Sequence, residues 1–379
     1  MKITGLFAGI GGLEHGLAQA GHETVAVSEI WDPACTVLRA RVDAPNLGDV
    51  TDIKAIPAET ELLTAGFPCQ DLSQAGKTAG IEGRRSGLVG AVFDILDRQP
   101  VPWVLLENVS FMLRLERGAA MHRLVTEFEE RGYRWAYRVI NSLAFLPQRR
   151  ERVFFLASRE GDPSSVLFDG NESPLETPTS LAQLAHGFYW TEGIRGLGWA
   201  ADAIPTLKNG STIGIASPPA ILRPTGELIT PDIRDAERLQ GLPEDWTKPA
   251  ELTGRASWRW SLVGNAVSAP VAEWVGTRLL GTQGRTDFIS AELPQSWPRA
   301  AYYDGSERRA ALVSDFPVVR ARAPLHDFLN YPGKPLSVRA TAGFLERTGR
   351  SQLRFPAGFL DRVHRHLSAM QAAGLARAA

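Results

Sequence analysis

The two cysteines of this 379-residue chain, Cys35 and Cys69, sit in unlike settings. Cys69 lies in Ala65-Gly66-Phe67-Pro68-Cys69-Gln70-Asp71-Leu72-Ser73, directly after the strand-like run Glu61 to Ala65, where Gly and Pro end regular structure. A thiol in such a loop can act as an exposed nucleophile, whereas a structural cysteine is normally embedded in an apolar run. Cys35 fits that second description, between Ala34 and Val37 on a helical pattern, and is expected in the core. Two cysteines cannot build a disulfide framework or a Cys-based zinc site within the chain.

Other residues could share chemistry with Cys69. Glu107 closes the apolar run Trp103 to Leu106, and a carboxyl there can hold or donate a proton to a ring nitrogen if burial raises its pKa; taken alone it can equally cap a helix. Arg150 and Arg152 alternate in Gln148-Arg149-Arg150-Glu151-Arg152 before an apolar strand, so they point the same way. Such a pair can bind phosphate or carboxylate bidentately, orient a ring oxygen, or form an ordinary solvated charge run. Phe7-Ala8-Gly9-Ile10-Gly11-Gly12 separates a strand from a helix, and Glu29 stands about twenty residues on, placed to accept hydrogen bonds from ribose hydroxyls. These features predict a nucleoside-type cofactor without separating a hydride carrier from a methyl donor.

The elements that must position these residues follow from periodicity. Strand-like runs at Ile3–Phe7, Thr24–Ser28, Glu61–Ala65, Trp103–Leu106, Arg134–Ile140 and Arg152–Ala157 alternate with helical spacing at Leu13–Ala20 and Met121–Arg131. This predicts an α/β fold: a Rossmann-like, doubly wound, mostly parallel sheet with helices on both faces. After Arg159 the chain becomes rich in Gly, Pro, Ser and Thr and reads as a smaller, loop-rich unit. Helices are expected at Ile233–Gln240, from Ser268 to Leu280, and at Gly358–Met370. No run approaches the roughly 20 apolar residues of a membrane span, and the N-terminus lacks a basic-then-apolar leader, so the cytoplasm is the expected compartment.

Taken in order, Phe7-Ala8-Gly9-Ile10-Gly11-Gly12, Pro68-Cys69-Gln70, Glu107-Asn108-Val109, Gln148-Arg149-Arg150-Glu151-Arg152, Arg238-Leu239-Gln240-Gly241-Leu242-Pro243 and Gly264-Asn265-Ala266-Val267 resemble the DNA cytosine-5 methyltransferase family of bacterial type. The resemblance implies a class I methyltransferase using S-adenosylmethionine, which becomes S-adenosylhomocysteine. Cys69 would attack C6 of a cytosine, making C5 nucleophilic toward the methyl group. Glu107 would serve N3, Arg152 the O2 side of the ring, and Arg150 the pocket or a phosphate. The cofactor would be lined by Phe7, Gly9, Ile10, Gly11, Gly12, Glu29, Ile30, Asp49, Val50, Pro68, Leu88, Asn265 and Val267. Where relatives usually carry an acid two residues after the ribose-binding Glu, this chain has Trp31. Because a thiol cannot reach a base inside a duplex, the family flips the base out. Gln70 and Ser73, with the Gly-rich stretch Gly76 to Gly87 and its Lys77, Arg84 and Arg85, would contact the displaced nucleotide and its phosphates.

The implied domain plan is a catalytic, cofactor-binding domain over 1–157, a small target-recognition domain over 158–257, a return to the catalytic domain over 258–283, and a basic C-terminal extension over 284–379. The formal net charge of −1 conceals a polarity: residues 1–279 sum to −7 and the remainder to +6. The tail is therefore expected to add phosphate contacts, through Arg308, Arg309, Arg320, Arg322, Arg347, Arg350 and Arg354; a packing or partner-docking role is the other reading. Double-stranded DNA is the expected partner, with a restriction or phage-defence partner alongside. A tRNA cytosine-5 methyltransferase on the same core is the alternative, disfavoured because the residues around Cys69 look more like the bacterial DNA enzymes. A silent DNA-binding subunit would have no use for Cys69, Glu107 and Arg152, and a dehydrogenase gives Pro68-Cys69-Gln70 no task.

Overall fold

The protein is represented by a computed structural model that describes residues 1–67, 87–174, 180–210, 218–281 and 287–378. The first half alternates strand and helix: β1 (Lys2–Leu6), α1 (Gly12–Gln19), β2 (Glu23–Ser28), α2 (Asp32–Arg41), β3 (Leu62–Ala65), α3 (Leu88–Arg98), β4 (Trp103–Val109), α4 (Ala119–Glu130), β5 (Arg134–Asn141), β6 (Gln148–Arg149) and β7 (Glu151–Ser158). β3 and most of β4 are continuous buried apolar runs, as strands covered on both faces must be. α2 carries Pro33 in its first turn and Arg39 and Arg41 in its last, which suits its termini and its dipole.

The main sheet has nine strands in the order β13-β15-β14-β5-β7-β4-β3-β1-β2, where β13 (Ser290–Glu292), β14 (Ala300–Tyr303) and β15 (Arg308–Ala311) come from late in the chain. β2, β1, β3 and β4 pair in parallel, as expected of a Rossmann-like half, and the site lies at the C-terminal ends of these strands. From β4 outward every pairing is antiparallel, so the sheet as a whole is mixed rather than mostly parallel. Two apolar layers flank it. One is built around Leu63, Val92, Leu106, Phe128 and Phe155, the other around Leu17, Leu105, Phe154 and Trp274.

A second, five-stranded sheet has the order β16-β12-β11-β8-β9: β8 (His186–Phe188), β9 (Ala200–Ala201), β11 (Ala220–Leu222), β12 (Leu228–Thr230) and β16 (Lys334–Pro335). Between the sheets, β10 (Ile204–Pro205) pairs with β6. Helices α5 (Ile233–Arg238), α6 (Trp258–Asn265) and α7 (Ala269–Leu280) return the chain to the large sheet, and α7 packs along α1.

The boundary expected at residue 284 does not coincide with a structural one. β14 pairs with β5 in the large sheet, while β16 pairs with β12 in the small one. Phe344 of α8 (Val338–Gly349) and Phe359 and Val363 of α9 (Phe359–Ala378) complete the small sheet's core against Phe188, Leu222 and Leu228. Most of the tail arginines expected to meet phosphate are engaged within the fold. Arg308 pairs with Glu129 at 2.7 Å, Arg320 with Glu273 at 2.9 Å and Arg322 with Asp202 at 3.0 Å. Arg309 pairs with Glu307 and Arg350 with Glu346, while Arg347 donates to the carbonyls of Trp190 and Glu192. Arg354 alone of the seven is exposed with no ion pair or hydrogen bond among the described residues. A surplus of arginine reads as a nucleic-acid footprint only if its partners are far away in space; here Arg308, Arg320, Arg322 and Arg347 meet acids and carbonyls of the first 280 residues, and Arg309 and Arg350 meet acids within the tail.

Candidate active site

β1 ends in a turn of left-handed backbone, with φ 54° at Phe7, 57° at Gly9 and 80° at Gly11; glycine adopts this at no steric cost, whereas Phe7 is held in it. Ala8 N–H donates to Ser28 O at 3.0 Å and Gly11 N–H to Ala8 O at 2.9 Å, which fixes the turn against β2. Glu29, at the end of β2, accepts from Gly9 N–H at 2.9 Å through Oε2, and from Ile30 and Trp31 N–H at 2.9 and 2.8 Å through Oε1. Its backbone is bracketed by the Asn46 side chain, at 3.0 Å in both directions. Oε1 thus has both lone-pair sites taken, whereas Oε2 keeps one, so a ribose hydroxyl can still be accepted there. Asp49 accepts from Thr51 N–H and Oγ, and these bonds hold its carboxyl below the usual range.

Across the turn stands the loop after α6. A Cβ on Gly12 would lie 3.0 Å from Val267 O, so the absence of a side chain lets the loop close over the N-terminus of α1. Gly11, expected to line the ligand, instead faces α2: a Cβ there would lie 2.9 Å from Val42 Cγ2. Its role is to permit the turn. Trp246 Nε1 donates to Ile10 O at 2.8 Å from more than two hundred residues away, a support that no local pattern announces.

The acid and the two arginines converge from β4 and from β7 with its preceding residue. Pairing of these antiparallel strands sets Val109 opposite Arg152 and Glu107 opposite Phe154. Arg152 Nε lies 3.1 Å from Glu107 Oε1. Burial pushes the Glu107 carboxyl above its ordinary value, against the opposing pull of Arg152 and then Arg150. Asn108 Nδ2 donates to Phe67 O at 3.0 Å, tying this strand end to a residue two positions before Cys69 in the chain.

Arg150 is only 1% exposed and donates to three carbonyls, Leu207 at 3.1 Å, Gly264 at 3.3 Å and Ala266 at 2.7 Å. Burial lowers its pKa to about 9, which still leaves it charged at neutral pH. A guanidinium so engaged cannot also reach a phosphate. It clamps the small unit and the Asn265 loop onto the large sheet.

A cavity of about 590 Å³ opens between these parts, lined by Phe7, Gly9, Ile10, Gly12, Glu29, Ile30, Asp49, Val50, Leu88, Glu107, Arg150, Arg152, Asn265 and Val267. Trp31, Gly66, Phe67, Asn108, Val109, Asn209 and Leu262 also line it. Pro68, Cys69, Gln70, Ser73, Lys77, Arg84 and Arg85 lie outside the described residues. Asn46, Asn108 and Trp246 were missed as supporting residues. Only Asn108 had a signal available, its place beside Glu107. Among the described residues no group of acids, His and Cys is arranged to hold a metal ion, and no helix is long and apolar enough to cross a membrane.

A Gly turn, a ribose-type acid and a buried Glu–Arg pair facing one cavity at the ends of parallel strands define a class I methyltransferase core. Comparison with known proteins gives the family. Residues 1–187 match the model for C-5 cytosine-specific DNA methylases. The type II methyltransferase M2.BsuMI of Bacillus subtilis (strain 168) is 44% identical over 381 residues, 96% of this chain and 98% of that one. M.NgoBI of Neisseria gonorrhoeae is 30% identical, covering 72% of this chain and 90% of its own, and M.DsaV of Dactylococcopsis salina is 26% identical, covering 78% and 91%. The chain belongs to the C-5 cytosine-specific DNA methylase family, and it is a DNA cytosine-5 methyltransferase. Among solved structures, the S. pombe Dnmt2 methyltransferase superposes with a TM-score of 0.54 at 16% identity over 74% of this chain and 98% of its own, a likeness of fold.

Proposed function

We propose that this enzyme moves a methyl group from S-adenosylmethionine to C5 of a cytosine flipped out of double-stranded DNA, through a transient bond between Cys69 and C6, in a restriction-modification or phage-defence setting. The observation that carries the reading is that one cavity is lined both by the Glu29-braced Gly turn and by the Glu107–Arg152 pair. The donor supplies an electrophilic methyl group when bound. The residues present fit it: Glu29 offers Oε2 to a ribose hydroxyl, Phe7, Ile30, Trp31 and Val50 offer apolar walls, and the Asn265–Val267 loop closes the far side. Asp49, Ile10, Gly12 and Leu88 complete that lining.

On the substrate side, the Cys69 thiolate adds to C6 and the ring electrons move toward N3 and O2. Glu107, whose pKa burial raises, is placed to share a proton with N3, and Arg152 to neutralise charge growing at O2. With C6 saturated, C5 takes the methyl group. Loss of the C5 proton to a base, with water the simplest candidate, then returns electrons to the C5–C6 bond and expels the thiolate. Gln70, Ser73, Lys77, Arg84 and Arg85 are proposed to hold the displaced nucleotide and neighbouring phosphates.

The test uses duplexes carrying 5-fluorocytosine, whose C5–F bond cannot release a proton. Incubation with S-adenosylmethionine should give a denaturant-stable adduct in the parent enzyme and none in Cys69→Ser. Labelled methyl transfer to tRNA but not to duplex DNA, or adducts that persist in Cys69→Ser, would overturn the reading.

A further inference from the structure

Affinity for DNA comes mainly from cations near phosphates, and the basic tail supplies few free ones. The short segment that follows the cavity-lining end of β4 supplies two. Ser110–Gly118 follows β4 directly, so it starts next to Val109, a cavity-lining residue, and three positions beyond Glu107. It begins as a 3₁₀ turn, in which residues three apart stack on one face. Met112 and Leu113 are buried in the core layer that also holds Phe67 and Val89, which anchors the segment from below. Phe111 and Arg114, three apart, are left on the outer side, with Phe111 59% exposed.

The chain next turns through left-handed backbone at Glu116 (φ 52°), Arg117 (φ 58°) and Gly118 (φ 91°), a conformation that non-glycine residues rarely adopt. The turn is braced by Trp297 Nε1, which donates to Gly118 O at 3.0 Å. Glu116 is neutralised by Arg123 at 2.6 Å. Arg114 and Arg117 are exposed and have no hydrogen bond or ion pair among the described residues. The segment therefore presents two uncompensated guanidiniums and an aromatic ring, four to ten positions along the chain from Glu107.

We propose that Phe111, Arg114 and Arg117 grip the DNA backbone beside the flipped cytosine, the two arginines on phosphates and the ring of Phe111 against a deoxyribose. This rests on the proposed function and adds to it a contact surface on rigid, core-anchored chain. The contact carries no sequence information, because phosphates are the same at every site.

The experiment measures binding of the full-length enzyme, with S-adenosylhomocysteine, to a mixed-sequence duplex of thirty base pairs by fluorescence anisotropy between 50 and 200 mM KCl. Each phosphate contact removed lowers the slope of log K against log salt by about 0.9, so Arg114→Ala/Arg117→Ala should lower it by about 1.8. Across that salt range the double variant should lose roughly 12-fold less affinity than the parent. Arg114→Lys/Arg117→Lys should restore the slope, and Phe111→Ala should raise KM for DNA with kcat little changed. An unchanged slope in the alanine variant, with S-adenosylhomocysteine affinity intact, overturns this proposal alone. Failure of the parent enzyme to methylate duplex DNA overturns the reading on which it rests.

Discussion

Glu14→Gln should change how the stability of this enzyme depends on pH. Glu14 lies in the first turn of α1, 2% exposed, pressed onto the Gly5 backbone with Oε1 3.5 Å from Thr64 Oγ1. Its Oε2 has no hydrogen-bond partner among the described residues. Burial raises its pKa from 4.5 to about 7, and the nearby Glu29 adds to the rise. A raised carboxyl pKa means that the folded protein holds the proton more tightly than the unfolded chain does. The contribution to stability is therefore present at low pH and is lost as pH climbs from about 4.5 through about 7. Above that window the cost approaches roughly 3 kcal/mol, and between pH 5 and pH 8 it grows by roughly 2.5 kcal/mol. Gln has the same shape and no charge, so any fixed gain or loss from the new amide cancels when the two pH values are compared. Urea unfolding of both proteins across this range should show the variant gaining on the parent as pH rises, with the gap levelling off near pH 8. Parallel profiles would mean that Glu14 is not a buried proton-binding group, and the account of the α1 terminus would fall.

Two further substitutions probe how the site is supported. Gly16→Ala should destabilise the fold by about 1–3 kcal/mol, since a Cβ there would lie 2.7 Å from Ala272 Cβ and 3.0 Å from Glu273 N at the α1–α7 contact; a melting temperature equal to the parent's would refute that close approach. Arg150→Lys keeps the charge but has no planar fork to serve the carbonyls of Leu207, Gly264 and Ala266 together. A loss of about 1–3 kcal/mol is expected from the carbonyls left without donors, together with weaker S-adenosylhomocysteine binding by calorimetry as the Asn265 loop loosens. Weakened DNA binding with cofactor affinity untouched would instead make Arg150 a phosphate ligand.

The parallel half of the sheet was legible in the chain because its strands are short buried runs and its first turn needs glycine at fixed places. The antiparallel half was not. β14 is an unremarkable Ala300-Ala301-Tyr302-Tyr303, and nothing local says that it will lie against Arg138 to Trp135 of β5. The tail misled for the same reason. Arginine content is a sum over residues, whereas a phosphate contact depends on whether each guanidinium has already found an acid or a carbonyl.

By itself the sequence determined the chemistry available. A cysteine in Gly-Phe-Pro-Cys-Gln, an acid in Glu-Asn-Val, alternating arginines and a Gly-rich run with an acid about twenty residues on are covalent facts, and their order along the chain identified the family. The tertiary structure alone decided how they are used. Both arginines of the alternating pair line the same cavity, yet Arg152 meets Glu107 there while Arg150 commits both terminal amino groups to three backbone carbonyls. The difference lies in where Leu207, Gly264 and Ala266 arrive from, more than fifty residues downstream. Desolvation and hydrogen bonding depend on such neighbours in space, which spacing along the chain does not specify.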